Sequence, residues 1–235
     1  KKSCSAKTVM VANPSKNLKF SEFECAWIRS VLDEKQLLFL SAQDALPVTV
    51  LETVGEAETL HISTHAHFDL NRPLSSFLVL SNGLRLTLKE LLPVLNKGAP
   101  DLVVLSACET GRTRVTSTPD EFLGFPSAFL HMGTRNVLST LWPVDDAASS
   151  FLIGFFYLAL IKERKSPAAA LQSAQQKIRR LSYREYLTLL RDLKHKPPPL
   201  GPIAASRRTE LRTKEPSEDP PFADPWFWAA FTLSG

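Results

Sequence analysis

The feature that most constrains the fold of this chain is the regular alternation of short apolar runs with stretches that carry helix-start signals. Runs of four or five residues that are rich in Val, Leu and Ile are typical of buried strands. They are Thr8–Ala12, Leu37–Leu40, Leu60–Ser63, Leu102–Leu105 and Val137–Thr140. Because strands that alternate with helices predict βαβ units, we expect an α/β fold with a mostly parallel central sheet and helices on both faces.

The helix-start signals between these runs are of two kinds. Ser21–Glu24 and Thr87–Glu90 have the spacing of a capping box, in which a hydroxyl and a carboxylate satisfy the first backbone donors of a helix. Thr118-Pro119 and Ser166-Pro167 place proline at the first helical position, which favours a helix start. Gly133 is expected to end the helix that begins at Thr118.

Three segments depart from the alternation. Phe77–Leu80 and Leu84–Leu86 flank Asn82-Gly83, a dipeptide that favours the tight turn of a β-hairpin. The proline-rich and charged segment 195–221 cannot bury enough apolar surface to order itself, so we expect a flexible insertion there. Pro225–Leu233 returns to an aromatic, strand-like pattern and is expected to rejoin the sheet as its last strand.

The length of the chain fits a single domain over residues 1–235 that contains this insertion. Its first residue is Lys1 rather than Met, and we expect it to be a segment of a longer polypeptide. The opening residues lack the pattern of a signal peptide, and we expect none there. The longest apolar run, Phe151–Ile161, is far shorter than the roughly 20 residues that span a bilayer, so it predicts a buried helix and no membrane association.

The chain has three cysteines, Cys4, Cys25 and Cys108. Their odd number and the absence of a CxxC spacing argue against a disulfide framework and against a zinc knuckle. Free thiols in a domain of this size predict a reducing, cytoplasmic setting and leave one thiol available as a nucleophile.

Two candidate catalytic residues, His65 and Cys108, follow two of the predicted strands at their carboxyl ends. Ligands of open α/β sheets bind beyond these strand ends. An imidazole that takes the thiol proton, a thiolate that attacks a carbonyl and nearby backbone N–H groups are together sufficient for acyl transfer. Alone, either residue is more typical of a structural role, because free cysteines are among the most buried residues.

The pair is more informative than either residue, because caspase-type sequences carry Gln-Ala-Cys-x-Gly with the histidine roughly 50 residues upstream. Here Ser106-Ala107-Cys108 is followed by Gly111, and His65 lies 43 residues before Cys108. Together with three further strings, this pattern resembles the CHAT domain family over about Val9 to Gly235. The three strings are Leu60–His65, Leu141–Asp146 and Trp228–Phe231.

The resemblance implies a caspase-haemoglobinase fold and a cysteine endopeptidase with a His65–Cys108 dyad. The backbone N–H groups of Ala66 and Cys108 would form the oxyanion hole, although the family usually has glycine where Ala66 stands. Family members typically cleave one protein partner and are activated by another, often through fused tetratricopeptide repeats or another sensor module. No metal or other cofactor is needed. A caspase-like scaffold without catalytic activity is the alternative from another functional class.

Asp145 and Asp146 resemble an acidic segment of separases, and either could line a pocket for a basic residue before the cleaved bond. Both residues are equally well explained as first-turn acids of the following helix, where the helix dipole stabilises them.

Two further patterns have competing interpretations. Between Lys162 and Lys196 there are ten basic and three acidic residues, which favour a solvated face or a dock for an acidic partner segment. Without interleaved aromatic residues, direct nucleic-acid binding is less favoured. His65, His67 and Asp69 fit the start of a metallo-hydrolase HxHxD motif, but Leu70 stands where that motif needs a further histidine, so we expect no metal site.

Overall fold

The structure, a computed structural model, describes residues 7–12, 19–67, 69, 71–106, 124–192 and 219–235. In these ranges the strands are β1 (Thr8–Ala12), β2 (Leu37–Ser41), β3 (Thr59–Ser63), β4 (Ala66–His67), β5 (Phe77–Val79), β6 (Arg85–Thr87), β7 (Leu102–Leu105), β8 (Asn136–Thr140) and β9 (Phe231–Ser234). The helices are α1 (Lys19–Val31), α2 (Pro47–Val54), α3 (Leu88–Leu95), α4 (Gly124–His131), α5 (Asp146–Tyr157), α6 (Pro167–Arg180) and α7 (Tyr183–Asp192).

The chain divides into two compact units. The sheet unit comprises the described parts of Lys1–Leu18, Leu32–Pro143 and Phe231–Gly235, and the helical unit comprises those of Lys19–Val31 and Val144–Ala230. Each unit therefore draws on segments that are separated in the sequence.

The sheet unit is built on a six-stranded sheet with the order β2-β1-β3-β7-β8-β9. All neighbouring strands are parallel except β9, which runs antiparallel to β8. The mixed α/β architecture with a mostly parallel central sheet is thereby confirmed. The five predicted apolar runs all form strands of this sheet.

One face of this sheet packs against α2, α3 and α4. The cluster is formed by strand residues such as Val11, Ile62 and Val103 together with Leu91 of α3 and Phe129 of α4. Side chains on the opposite face, Met10, His61, Val104 and Leu138, are buried as well. Burial on both faces explains why these strands read as nearly continuous apolar runs rather than as alternating patterns.

A second, three-stranded antiparallel sheet with the order β4-β5-β6 also belongs to the sheet unit. The predicted hairpin is confirmed, because β5 and β6 are joined through Asn82 (φ 58°) and Gly83 (φ 73°), two residues in the left-handed conformation that a tight turn requires. The predicted capping box at Thr87 is confirmed at the start of α3.

The helical unit has an aromatic core around Phe151 of α5. The Phe151 ring lies 5.0 Å from those of Phe23 and Tyr186 and 5.5 Å from that of Trp27, measured between centroids. Gly154, one turn after Phe151, allows the Trp27 indole to lie directly against the backbone of α5, because a Cβ at this position would overlap the ring.

The remaining predictions for helices are mostly confirmed. Ser166 caps α6 by accepting a hydrogen bond from the Ala169 N–H, and Gly133 follows α4 with φ 102°. The apolar run Phe151–Ile161 is helical, through α5 and a following π-helical turn at Leu158–Lys162. No helix among the described residues combines the length and the apolar character that a membrane crossing requires.

Two predictions are wrong in detail. The capping box at Ser21 does not form, because α1 already begins at Lys19 and Ser21 is buried inside it. The last strand is shorter than predicted, since Pro225–Phe227 forms a 3-10 turn and only Phe231–Ser234 pairs with β8. The predicted helix start at Thr118 and most of the predicted insertion 195–221 lie outside the described residues.

Candidate active site

His65 lies where the chain leaves the central sheet, between β3 and the short edge strand β4. The preceding Thr64 is buried, and its hydroxyl donates a hydrogen bond to the carbonyl of Val79 at the end of β5. The Val79 N–H in turn donates to the carbonyl of His65 at 2.8 Å. Both bonds tie the backbone at His65 to the small sheet, and the position of this imidazole therefore depends on β5.

Ala66 has a backbone N–H that points away from β5. A trans peptide places a carbonyl and the following N–H on opposite sides of the chain, and the His65 carbonyl faces Val79. Because β4 is an edge strand, this N–H lies on the open side of the small sheet. Ala66 is extended within β4, so an alanine in place of the glycine expected at this position imposes no left-handed backbone strain.

Strands β3 and β7 are adjacent and parallel, with Ile62 opposite Leu105. The pairing continues to Ser106, whose N–H donates to the carbonyl of Ile62 at 2.8 Å. Ile62 precedes His65 by three positions, and Leu105 precedes Cys108 by three positions. Cys108 itself, with Ala107 and Glu109, lies outside the described residues.

Cys25 is buried in α1, in the helical unit. Burial, together with the nearby Glu24 carboxylate, raises the pKa of the Cys25 thiol far above its ordinary value. Such a thiol stays protonated and has no nucleophilic character. Cys4 lies outside the described residues.

In the structure, His67 and Asp69 of the HxHxD segment have other contacts. The His67 ring lies 5.1 Å from the Phe77 ring. The Asp69 carboxylate accepts hydrogen bonds from the N–H groups of Asn71 and Arg72 and from the Arg72 side chain, at 3.0 to 3.1 Å. Desolvation raises the pKa of Asp69, but these bonds outweigh it and hold the pKa below its ordinary value. The described part of the chain contains no group of three side chains that could hold a metal ion.

Asp145 and Asp146 lie in the helical unit, at the start of α5. One Asp145 carboxylate oxygen accepts hydrogen bonds from the N–H groups of Ala147 and Ala148, at 3.0 and 3.1 Å. Asp145 is therefore the N-cap of α5, and Asp146 is its first residue. A helix-capping role is thus observed for Asp145, and a role of either residue in substrate selection stays a prediction.

Sequence reasoning missed Thr64 and Val79, the two residues that position the backbone at His65. A threonine after an apolar run carries no signal of its own, because its bonding partner lies fifteen residues away in the chain. It also missed Arg85, whose guanidinium lies 4.2 Å from the centroid of the Phe77 ring. Phe77 thereby links Arg85 and His67 across the three strands of the small sheet.

Comparison with known proteins adds two findings. The sequence model of the CHAT domain family matches residues 1–235. Tetratricopeptide repeat protein 28 from Homo sapiens and from Mus musculus are each 40% identical to the chain over 68 residues. That stretch is 29% of this chain and 3% of each relative, so the chain spans a small part of the length of these relatives.

Proposed function

Because this chain belongs to the CHAT domain family, we propose that it is a cysteine endopeptidase whose His65–Cys108 pair cleaves a protein partner. CHAT domains are caspase-like and peptidase-like as a family, and the mostly parallel sheet agrees with that fold. The family membership does not by itself assign activity to this member, so the proposal depends on the residues that this chain retains.

The observation that carries the proposal is the register of β3 and β7. His65 and Cys108 each follow, by the same three positions, a pair of residues that lie opposite each other in parallel strands. The carboxyl ends of parallel strands meet at one edge of a sheet, where α/β enzymes place their reacting groups. A histidine and a cysteine are the two groups that thiol-dependent acyl transfer needs.

In the proposed reaction, His65 accepts the proton of the Cys108 thiol, and the thiolate sulfur attacks the carbonyl carbon of the scissile peptide. The N–H groups of Ala66 and Cys108 donate to the oxyanion, and the open-edge direction of the Ala66 N–H supports this role. The His65 imidazolium protonates the leaving amine. A water molecule, deprotonated by His65, then hydrolyses the thioester and restores the thiol.

We place this activity in a longer, regulated polypeptide in the cytoplasm. The similarity to Tetratricopeptide repeat protein 28 supports an association with repeats of this kind, which would present a substrate or transmit an activating signal. Protein partners are the expected ligands, and no cofactor takes part. Asp145 or Asp146 would select a basic residue before the cleaved bond.

The decisive experiment is labelling of the intact protein with iodoacetamide, followed by mass spectrometry to locate the modified thiols. We expect fast labelling of Cys108 that is lost in Cys108→Ala and slowed at least tenfold in His65→Ala, since the imidazole no longer generates the thiolate. Cys25 is an internal control, because its buried thiol should stay unlabelled while the protein is folded.

The comparison is made with the chain alone and within the longer polypeptide. Slow labelling of Cys108 that His65→Ala leaves unchanged in both settings would contradict the dyad and would favour a caspase-like scaffold without activity. Circular dichroism of His65→Ala checks that its fold is intact.

A further inference from the structure

Helices α6 and α7, together with the end of α5, line an open groove within the helical unit. Its volume is about 660 Å³, which falls within the range of roughly 300 to 1,000 Å³ that ligand sites occupy. Helix α6 ends at Arg180 and α7 begins at Tyr183, so two consecutive helices form the walls of one groove. We call it the α6–α7 groove.

The lining of the α6–α7 groove is amphipathic. Phe155 and Leu181 form its buried part, with 7% and 5% of their surfaces exposed, and the half-buried Leu189 adjoins them. Lys177, Arg180 and Arg184 supply positive charge, and the latter two are exposed to solvent. A groove with an apolar floor and a cationic rim fits a ligand with one apolar and one anionic face.

The acid in this lining is already engaged. Glu185 accepts hydrogen bonds from the Ser182 N–H and hydroxyl, at 2.8 and 2.9 Å, in a capping box at the start of α7. Lys177 forms an ion pair with Glu163 at 2.7 Å. Arg180 makes no hydrogen bond or ion pair with any of the described residues.

We propose that the α6–α7 groove binds an acidic, amphipathic peptide segment of a partner protein. Apolar side chains of the segment would cover Phe155, Leu181 and Leu189, and its carboxylates would lie beside Arg180 and Arg184. An amphipathic helix laid into a groove is a common form of peptide recognition. The inference goes beyond the proposed peptidase activity, and it holds whether or not Cys108 cleaves anything.

Two other occupants fit the groove less well. The chain's own segment 193–218 carries six basic and three acidic residues, so its charge has the same sign as the rim. Single-stranded nucleic acid is normally held by exposed aromatic rings, whereas Phe155, the aromatic residue of the lining, is buried. An acidic amphipathic peptide matches both parts of the groove, because its apolar side chains can cover the floor and its carboxylates can pair with the rim.

The test is fluorescence polarisation with the full chain and a labelled helical peptide as long as α6, with leucines on one face and glutamates on the other. A second peptide carries glutamine in place of every glutamate. We expect the acidic peptide to bind at least about tenfold more tightly, and its affinity to fall as salt is raised, because much of the attraction is between charges near the surface.

Variants of the protein locate the site. Arg180→Glu should weaken binding of the acidic peptide by about tenfold or more, because a rim charge changes from attractive to repulsive. Arg191→Glu makes the same charge change on α7 outside the lining and should weaken binding less than Arg180→Glu does. Leu189→Gln should weaken both peptides, since both use the apolar floor.

Equal effects of Arg180→Glu and Arg191→Glu would overturn the proposal, because only net charge would then matter. Tighter binding of a single-stranded oligonucleotide than of the acidic peptide at the same groove would also overturn it. Deletion of 196–216 that uncovers a groove otherwise closed to the peptide would identify the chain's own segment as the occupant instead. Arg180 is exposed, so thermal unfolding of Arg180→Glu should match that of the parent protein.

Discussion

The cores of the two units of this molecule are built from different kinds of side chain. The core of the sheet unit is mostly aliphatic, with Val, Ile and Leu from parallel strands packed on three helices. The core of the helical unit is a cluster of aromatic rings, in which Phe151 contacts three others at centroid distances of 5.0 to 5.5 Å. In the sheet unit, the pairing register of the strands therefore sets where residues lie. In the helical unit, the packing of aromatic rings sets where the helices lie.

Because of this difference, we expect substitutions to destabilise the two cores to different extents. Aliphatic cores tolerate exchanges of similar volume, typically at less than about 1.5 kcal/mol. Edge-to-face ring contacts such as that of Trp27 with Phe151 depend on orientation as well as on volume. We expect a single added methyl group to cost more in the helical unit than the loss of a hydroxyl costs in the sheet unit.

Gly154→Ala tests the helical unit and should have the largest effect. The new methyl group would overlap the Trp27 indole, and we expect a loss of about 2 kcal/mol in the free energy of unfolding, measured in urea. The steric cost of the overlap would therefore outweigh the roughly 1 kcal/mol by which alanine is favoured over glycine in a helix. Gly154→Ala combined with Trp27→Leu should cost less than the sum of the two single variants.

An unchanged or raised stability of Gly154→Ala would contradict this account, because Trp27 would then be free to move aside. The aromatic core would in that case tolerate a change of volume as well as the aliphatic core does.

Thr64→Val tests the sheet unit and should have an intermediate effect. The substitution keeps the side-chain shape but removes the hydrogen bond to the Val79 carbonyl, so we expect a loss of about 1 kcal/mol in the free energy of unfolding. Under the proposed function, iodoacetamide should also label Cys108 more slowly. The reason is that the backbone at His65 loses one of the two hydrogen bonds that hold it to β5.

Thr59→Val, at the start of β3, the strand that Thr64 directly follows, is the matched control and should change neither quantity. A full rate of labelling in a destabilised Thr64→Val protein would show that the tie supports the fold and not the placement of His65.

Glu163→Gln should have the smallest effect. Hydrogen bonds from Lys165 and Lys177 lower the pKa of Glu163 to about 2 from an ordinary value of 4.5. A lowered pKa stabilises the folded state above the unfolded value, and this contribution disappears as the pH falls through the folded value. The difference in melting temperature between the parent protein and Glu163→Gln should therefore be small and constant above about pH 5, and vanish towards about pH 2. A difference that grows as the pH falls would contradict the assignment.

The sequence predicted those parts of the fold that depend on neighbouring residues. The apolar runs formed strands, Asn82-Gly83 formed the hairpin turn, and Ser166 capped its helix, because each of these signals acts over a few residues. The spacing of Ser21 and Glu24 gave a wrong prediction of a capping box because it, too, is only a local signal. It satisfies the capping rule locally, but both residues are buried within α1.

Features that depend on distant pairing could not be predicted in this way. The bond between Thr64 and Val79 requires the small sheet to fold against the end of β3, and no local pattern encodes it. The excess of basic residues after Lys162 predicted a cationic face. The apolar floor beneath it requires Phe155, which the sequence places in a different helix.

The antiparallel pairing of β9 with β8 has a consequence for the length of the chain between them. Thr140 lies opposite Phe231, so this pairing closes a loop that contains α5, α6, α7 and the proline-rich segment. The entropy of loop closure grows only with the logarithm of length, by roughly 0.6 kcal/mol for each doubling. Extra residues after α7 therefore add little to the free energy of completing the sheet, which makes this part of the chain one where insertions can accumulate without loss of the fold.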